Sequence, residues 1–207
     1  MSWEIHPAIN SFNAHVADWD RLNAKHYNSH PFFDSRFVGA LLEYFATGKE
    51  KLCIHTETGV TTGALILQPM GMGRWSSFQP SQTQATAAFI SDARQIATLF
   101  SALPGVVWAI ELLAIDPRYS PDFGELPRIA HPHARTIGVE PDISFTDYWN
   151  RRAKNLRANV RRYFNRAEKE STPPVMSMLS AHSDMRSGVE RFGVLETAGW
   201  KGASGTA

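Results

Sequence analysis

The chain has one cysteine, Cys53, among 207 residues. A single thiol excludes an internal disulfide framework and a cysteine-rich zinc site. Cys53 lies in an apolar stretch without a nucleophile elbow, which reads as core packing. Charge is sparse too, at 20% of residues. Yet 43% of residues are hydrophobic, with 12 Phe and 6 Trp, which excludes a disordered chain. No uncharged apolar run reaches the roughly 18 residues that a membrane helix needs, so no integral membrane segment is expected. The opening MSWEIHPAIN lacks the basic and apolar regions of a signal peptide. These absences predict a cytoplasmic protein. No internal repeat or low-complexity linker stands out, and the length allows one large domain or one domain with part of another.

What is present is a concentration of positive charge. Residues 147–170, DYWNRRAKNLRANVRRYFNRAEKE, run for 24 residues without proline or glycine. Trp149, Leu156, Val160, Tyr163, Phe164 and Ala167 recur at helical spacing and form one apolar stripe. Arg151, Arg152, Lys154, Arg157, Arg161, Arg162, Arg166 and Lys169 are opposed by Glu168 alone. Residues 151–169 therefore carry +7 in a chain of net +1, and the remainder sums to −6. Three readings of this helix stay open. It is a solvated amphipathic helix, or a polyanion contact, or a sequence-specific nucleic-acid module. Arginine forks suit phosphate, whether on CoA, on a tRNA-borne aminoacyl donor or on an anionic lipid. The nucleic-acid reading lacks a helix-turn-helix partner, zinc spacing and RNP-like aromatics, and is not expected.

Read in order, Ser2–Ile9 predicts a first strand. Helices follow over Ser11–His26 and from the Asp34 cap to Gly48. Lys51–Thr56, Val60–Gln68 and Arg74–Phe78 predict an antiparallel meander. Ser91 and Asp92 open a helix that ends at Pro104-Gly105. Val106–Ile115 is an almost continuous apolar run, which predicts a strand buried on both faces. The segment from Pro117 to Pro132 reads as a long surface loop, and Thr136–Val139 as a short strand. The basic helix then runs to Pro173-Pro174. A strand over Val175–Leu179 and a helix over Ser183–Ala198 close the order. The predicted fold class is α/β (α+β), a mostly antiparallel mixed sheet flanked by helices. Residues 1–143 form one domain, and 144–207 hold the linking helix and the start of a second.

That order, with two helices after the first strand, is similar to the GNAT acyltransferase fold. HPFFDSRFVGALLEYFATG (His30–Gly48), NLRANVRRYFNRAEKE (Asn155–Glu170) and ETAGWKGASGTA (Glu196–Ala207) sharpen it. They resemble the FemAB-like branch of GNAT proteins, in the group around CelD-type cellulose-biosynthesis acetyltransferases. Members carry two GNAT-like domains, and this chain ends within the second. The resemblance implies an acyl group passed from acetyl-CoA or another acyl-CoA to an amine or hydroxyl acceptor. The alternative is a non-catalytic module whose basic helix docks a polyanion or a protein partner. In either case the apolar stripe needs a partner. If that partner lies beyond residue 207, the stripe is exposed and self-association is expected.

Several residues carry candidate chemistry. Glu111 sits inside the apolar run, where burial raises a carboxyl pKa and suits a general base. Its alternative is an outward-facing or ion-paired glutamate. Arg157 and Arg161 are the candidate phosphate contacts of the basic helix. Trp200, Lys201, Gly202 and Gly205 could line an acceptor or phosphate contact, or be a frayed terminal turn. Gln68-Pro69-Met70-Gly71-Met72-Gly73 matches the spacing of a pyrophosphate loop. A helix should follow such a loop, and Arg74–Phe78 reads as a strand, so a hairpin turn is the better reading. His131 and His133 lack further ligands at metal spacing, and no metal is expected.

Overall fold

The computed structural model describes residues 2–116, 118, 119, 123, 126–132, 134, 135, 138 and 142–205, with the backbone alone of Lys201. Contacts divide the chain into two units, Met1–Arg135 and Thr136–Ala207.

In the first unit, β1 (Ser2–Pro7) leads into α1 (Ala8–Ser11), a 3-10 turn (Phe12–His15) and α2 (Val16–Tyr27). A second 3-10 turn, Pro31–Phe33, precedes α3 (Ser35–Phe45). The Asp34 carboxylate accepts from the Arg36 N–H and caps α3. Then come β2 (Lys51–Glu57), β3 (Val60–Gly71), β4 (Arg74–Ser77), β5 (Ala88–Phe89), α4 (Ala93–Ala102) and β6 (Ala109–Glu111). The sheet order is β1-β2-β3-β4-β6, with β5 also paired to β3. β1 to β4 form an antiparallel meander, and β6 returns through α4 to lie parallel to β4. The fold is thus a mixed α/β sheet of six strands flanked by helices.

The two faces of the sheet follow from the two-residue period of the strands. Leu52, Ile54, Ala64, Ile66 and Phe89 face Phe12, Trp19, Leu22, Leu41 and Leu42 of the N-terminal helices. Their neighbours Cys53, Leu65, Leu67 and Ala88 face Trp3, Ile96, Leu99 and Leu103. Buried aromatics keep their polar atoms paired. Trp19 Nε1 donates to the Phe33 carbonyl at 2.8 Å. The Tyr27 hydroxyl donates to the Ala88 carbonyl and accepts from the Ala88 N–H, so it stands in for a neighbouring strand beside β5. Glu50, 2% exposed, is satisfied by the Thr47 and Gly48 N–H groups and the Thr47 hydroxyl. Burial alone would raise its pKa, but these donors outweigh burial and lower it.

The structure corrects four expectations here and in the second unit. The apolar run Val106–Ile115 forms only the three-residue β6 at the end of the sheet order, and Val106 and Trp108 are exposed. An apolar run is buried on both faces only where both faces are covered. The helix expected over Ser11–His26 is broken into a 3-10 turn and α2. The basic segment is likewise two helices, α5 (Phe145–Asn150) and α6 (Lys154–Lys169). The Ser144 hydroxyl accepts from the Asp147 N–H at the start of α5, and Ala153 turns to an extended conformation before α6. No strand forms over Val175–Leu179, where Val175 and Met176 are exposed. α7 spans His182–Ala198 and α8 spans Trp200–Ala203. No residue of α5, α6 or α7 is buried. Thr136–Val139 falls largely outside the described residues, as do parts of the segment from 117 to 132.

Candidate functional site

α6 has two unlike faces. At about 100° per residue, Leu156, Val160, Tyr163, Phe164 and Ala167 fall on one side. Ala158, Arg161, Arg162, Asn165, Arg166 and Lys169 line a shallow groove on the other. These six positions follow the i, i+3, i+4 spacing of one helix face, and Lys154 continues it by one turn. From residue 158 to 169 the stripe is about 16 Å long. Among the described residues, Arg166 alone of the eight cations in 151–169 has a carboxylate partner, Glu170 at 2.8 Å. Arg162 donates to the Asn159 side chain at 3.1 Å. The face can therefore offer four cationic heads to one extended anion, and guanidinium forks suit phosphate oxygens.

Arg161 belongs to this face. Arg157 does not: it lies beside the apolar stripe, with its Nη1 3.4 Å from the Asn150 side chain. Arg162, Arg166 and Lys169 share that face with Arg161, and helical spacing is the signal that groups them. Arg152 stacks on the Tyr148 ring at 4.3 Å, which ties it to α5.

Trp200 is 75% exposed. Gly202 has a packing role, because a Cβ there would overlap the Thr197 carbonyl at the end of α7. Gly205 takes a positive φ of 70°, a turn conformation suited to glycine. The side chain of Lys201 lies outside the described residues.

In the first unit, Glu111 ends β6 with its carboxylate ion-paired to Arg74 of β4. Gln68–Gly73 is the β3–β4 hairpin: Gly71 pairs with Arg74, and Gly71, Met72 and Gly73 all have positive φ. The N-terminus of α4 is no phosphate cradle either. The Asp92 carboxylate accepts from the Arg94 and Gln95 N–H groups at 2.8 and 3.2 Å, so an anion is already there. Among the described residues no group of three or more His, Cys, Asp or Glu could hold a metal ion.

A polar cluster that the sequence did not reveal ties α4 to the sheet. His55 Nδ1 lies 2.7 Å from Thr62 Oγ1 and 3.1 Å from Gln95 Nε2. Gln95 Oε1 accepts from the Ser91 N–H at 2.7 Å, and the Gln95 carbonyl accepts from Trp3 Nε1 at 2.8 Å. Burial lowers the His55 pKa, so the ring is neutral at neutral pH. Gly63 permits this closeness, since a Cβ there would meet the Phe89 carbonyl at 2.9 Å. The cluster is enclosed, which suits holding α4 in register better than reaching a substrate. Cys53 is inert for a similar reason, with burial pushing its thiol up to about 12.

Comparison with protein-family models, with curated proteins and with solved structures finds no match to this chain.

Proposed function

We propose that the chain acts by binding a phosphate-rich polyanion along the cationic face of α6. One observation carries this reading: Arg161, Arg162, Arg166 and Lys169 share one stripe, opposite the apolar stripe, with a single carboxylate partner among the described residues. Lys and Arg that neutralise phosphates release counterions, so binding should weaken steeply with salt. The test is titration of the full chain with inorganic polyphosphate at several salt concentrations. Replacing Arg161, Arg162 and Arg166 together by Gln should lower the log–log salt slope by about two to three. Binding that ignores salt, or that survives the triple change, would sink the reading.

A second reading, acyl transfer from acyl-CoA to an amine or hydroxyl, is favoured by the strand order. Two helices follow the first strand, and a parallel β4–β6 pair is joined through α4. Under this reading the 3′-phosphate and pyrophosphate of CoA are the polyanion. Acetyl-CoA should then bind more tightly than polyphosphate of equal charge, and the chain should raise the rate of thiol release with an amine present. Equal affinities and no thiol release would leave only the polyanion reading.

A further inference from the structure

α6 carries an apolar stripe and a cationic face on one 16-residue helix, and none of its residues is buried. Leu156, Tyr163 and Phe164 of the stripe are exposed. At about 100° per residue, Arg157 borders the stripe beyond Phe164, and Asn159 and Arg166 border it beyond Tyr163. The exposed pair with Glu170 holds Arg166 only weakly. The stripe therefore has an arginine on each flank, and Arg161, Arg162 and Lys169 close the far side. Glu168 is the only acid among residues 151–169.

A dissolved polyanion uses one of these faces. It engages the cationic row and leaves Leu156, Tyr163 and Phe164 in water. A bilayer with anionic headgroups is a polyanion that takes both. Its acyl boundary accepts the apolar stripe of a helix lying in plane, about 5–10 Å deep, and its headgroups meet the basic residues at the flanks. Arginine stems are long enough to lie along the helix and carry the guanidinium back to headgroup level. α5, just before, adds aromatic rings: Phe145 is exposed and stacks on Trp149 at 5.9 Å. Such rings suit the same boundary. With 16 residues and six cations, α6 fits on a membrane surface and not across it.

We propose that α6 docks on the surface of a bilayer rich in anionic phospholipid, with the stripe from Leu156 to Ala167 in the acyl boundary and the arginines on the headgroup phosphates. This proposal rests on the polyanion reading of α6 and names the polyanion.

The test compares binding of the full chain to phosphatidylcholine vesicles, to equimolar phosphatidylcholine–phosphatidylserine vesicles and to inorganic polyphosphate. Flotation should recover the chain with the phosphatidylserine vesicles and not with phosphatidylcholine alone. Leu156→Gln with Phe164→Gln keeps helix propensity and removes the stripe's two largest aliphatic and aromatic contacts. It should weaken vesicle binding by about tenfold or more and leave polyphosphate affinity unchanged. Orientation is read with an environment-sensitive fluorophore on Leu156→Cys or on Asn165→Cys, positions about 180° apart around the helix. Cys53 is buried with its thiol pushed up to about 12, which leaves the label to the new residue. On phosphatidylserine vesicles, emission should shift to the blue from position 156 and stay unchanged from position 165.

Binding to polyphosphate but to neither vesicle overturns the lipid proposal and leaves the polyanion reading standing. Binding to none of the three overturns both. The lipid proposal also fails if phosphatidylcholine alone binds equally well, or if both labels shift together. It fails again if the double Gln variant floats like the parent, or loses vesicles and polyphosphate alike. A chain that ignores vesicles, and whose self-association the double variant abolishes, has a second copy over the stripe, which overturns the proposal too.

Discussion

The two units use the same ingredient in opposite ways. In the first, every amphipathic helix finds a surface: α2 and α3 cover one face of the sheet and α4 covers the other. In the second, α6 has an apolar stripe as well formed as theirs, yet Leu156, Tyr163 and Phe164 are 47%, 62% and 52% exposed. The difference is in what surrounds the helix rather than in its own sequence. Amphipathic pattern selects a helix and orients it, but stability comes from the surface it covers. Meanwhile α6 places Arg161, Arg162, Arg166 and Lys169 in one row on the side away from its apolar stripe.

The largest contrast should come from deleting matched aromatics. Trp19, 2% exposed, packs edge-on against Phe12 and Phe89. Trp19→Ala should destabilise the first unit by about 3–5 kcal/mol in urea melts. Phe164→Ala on α6 should change stability by no more than about 0.5 kcal/mol, as for an ordinary surface site. Equal costs would erase the distinction between the units.

A smaller loss should follow at the β3–β4 hairpin. Gly73 has φ +74°, and a Cβ there would run into the Val106 carbonyl and the Trp108 ring. Gly73→Ala should cost about 1–3 kcal/mol. A variant as stable as the parent would show that the approach of 106–108 to the hairpin is loose.

Acid should weaken the first unit more gradually. Burial lowers the pKa of His55 and, with a contribution from Lys25, that of His26, from an ordinary value of 6.5. Both rings fold neutral and are protonated more readily when unfolded. The stability they contribute is present above pH 6.5 and lost as pH falls through their lower folded values. Glu50 acts further down: its folded pKa lies below 4.5, so its contribution is present above that pH and lost as pH drops through the folded value. Urea midpoints measured from pH 8 to 4 should fall with acid. A midpoint that rose on acidification would contradict the neutral assignment of His55 and His26.

The smallest effect belongs to α6 itself. Arg166→Ala removes the exposed pair with Glu170. It should change stability by less than about 1 kcal/mol, while reducing the salt slope of polyphosphate binding by about one.

Much of the first unit was legible from its residues. The Asp34 and Asp92 caps and the three strand segments between them marked the meander and its helices. Local chemistry decided those features, so local reading found them. The break at Arg151–Ala153 was not legible, because no proline or glycine marks it. The short β6 was misread because an apolar run does not say whether a neighbour covers both sides. On α6, the charge count picked out the helix, and helical spacing separates Arg157 from the face that holds Arg161. His55, Thr62 and Gln95 were invisible as a cluster, since 33 residues separate Thr62 from Gln95 and only the folded sheet unites them.

The most direct test of this account is hydrogen–deuterium exchange on the full chain, with and without inorganic polyphosphate. Amides of β2, β3 and α4 should be strongly protected in both conditions. Those of α6 should exchange rapidly in the free chain and become protected when polyphosphate is added. If α6 is already as protected as β3 without the anion, or gains nothing from it, then the helix is held by something other than a polyanion and the central claim fails.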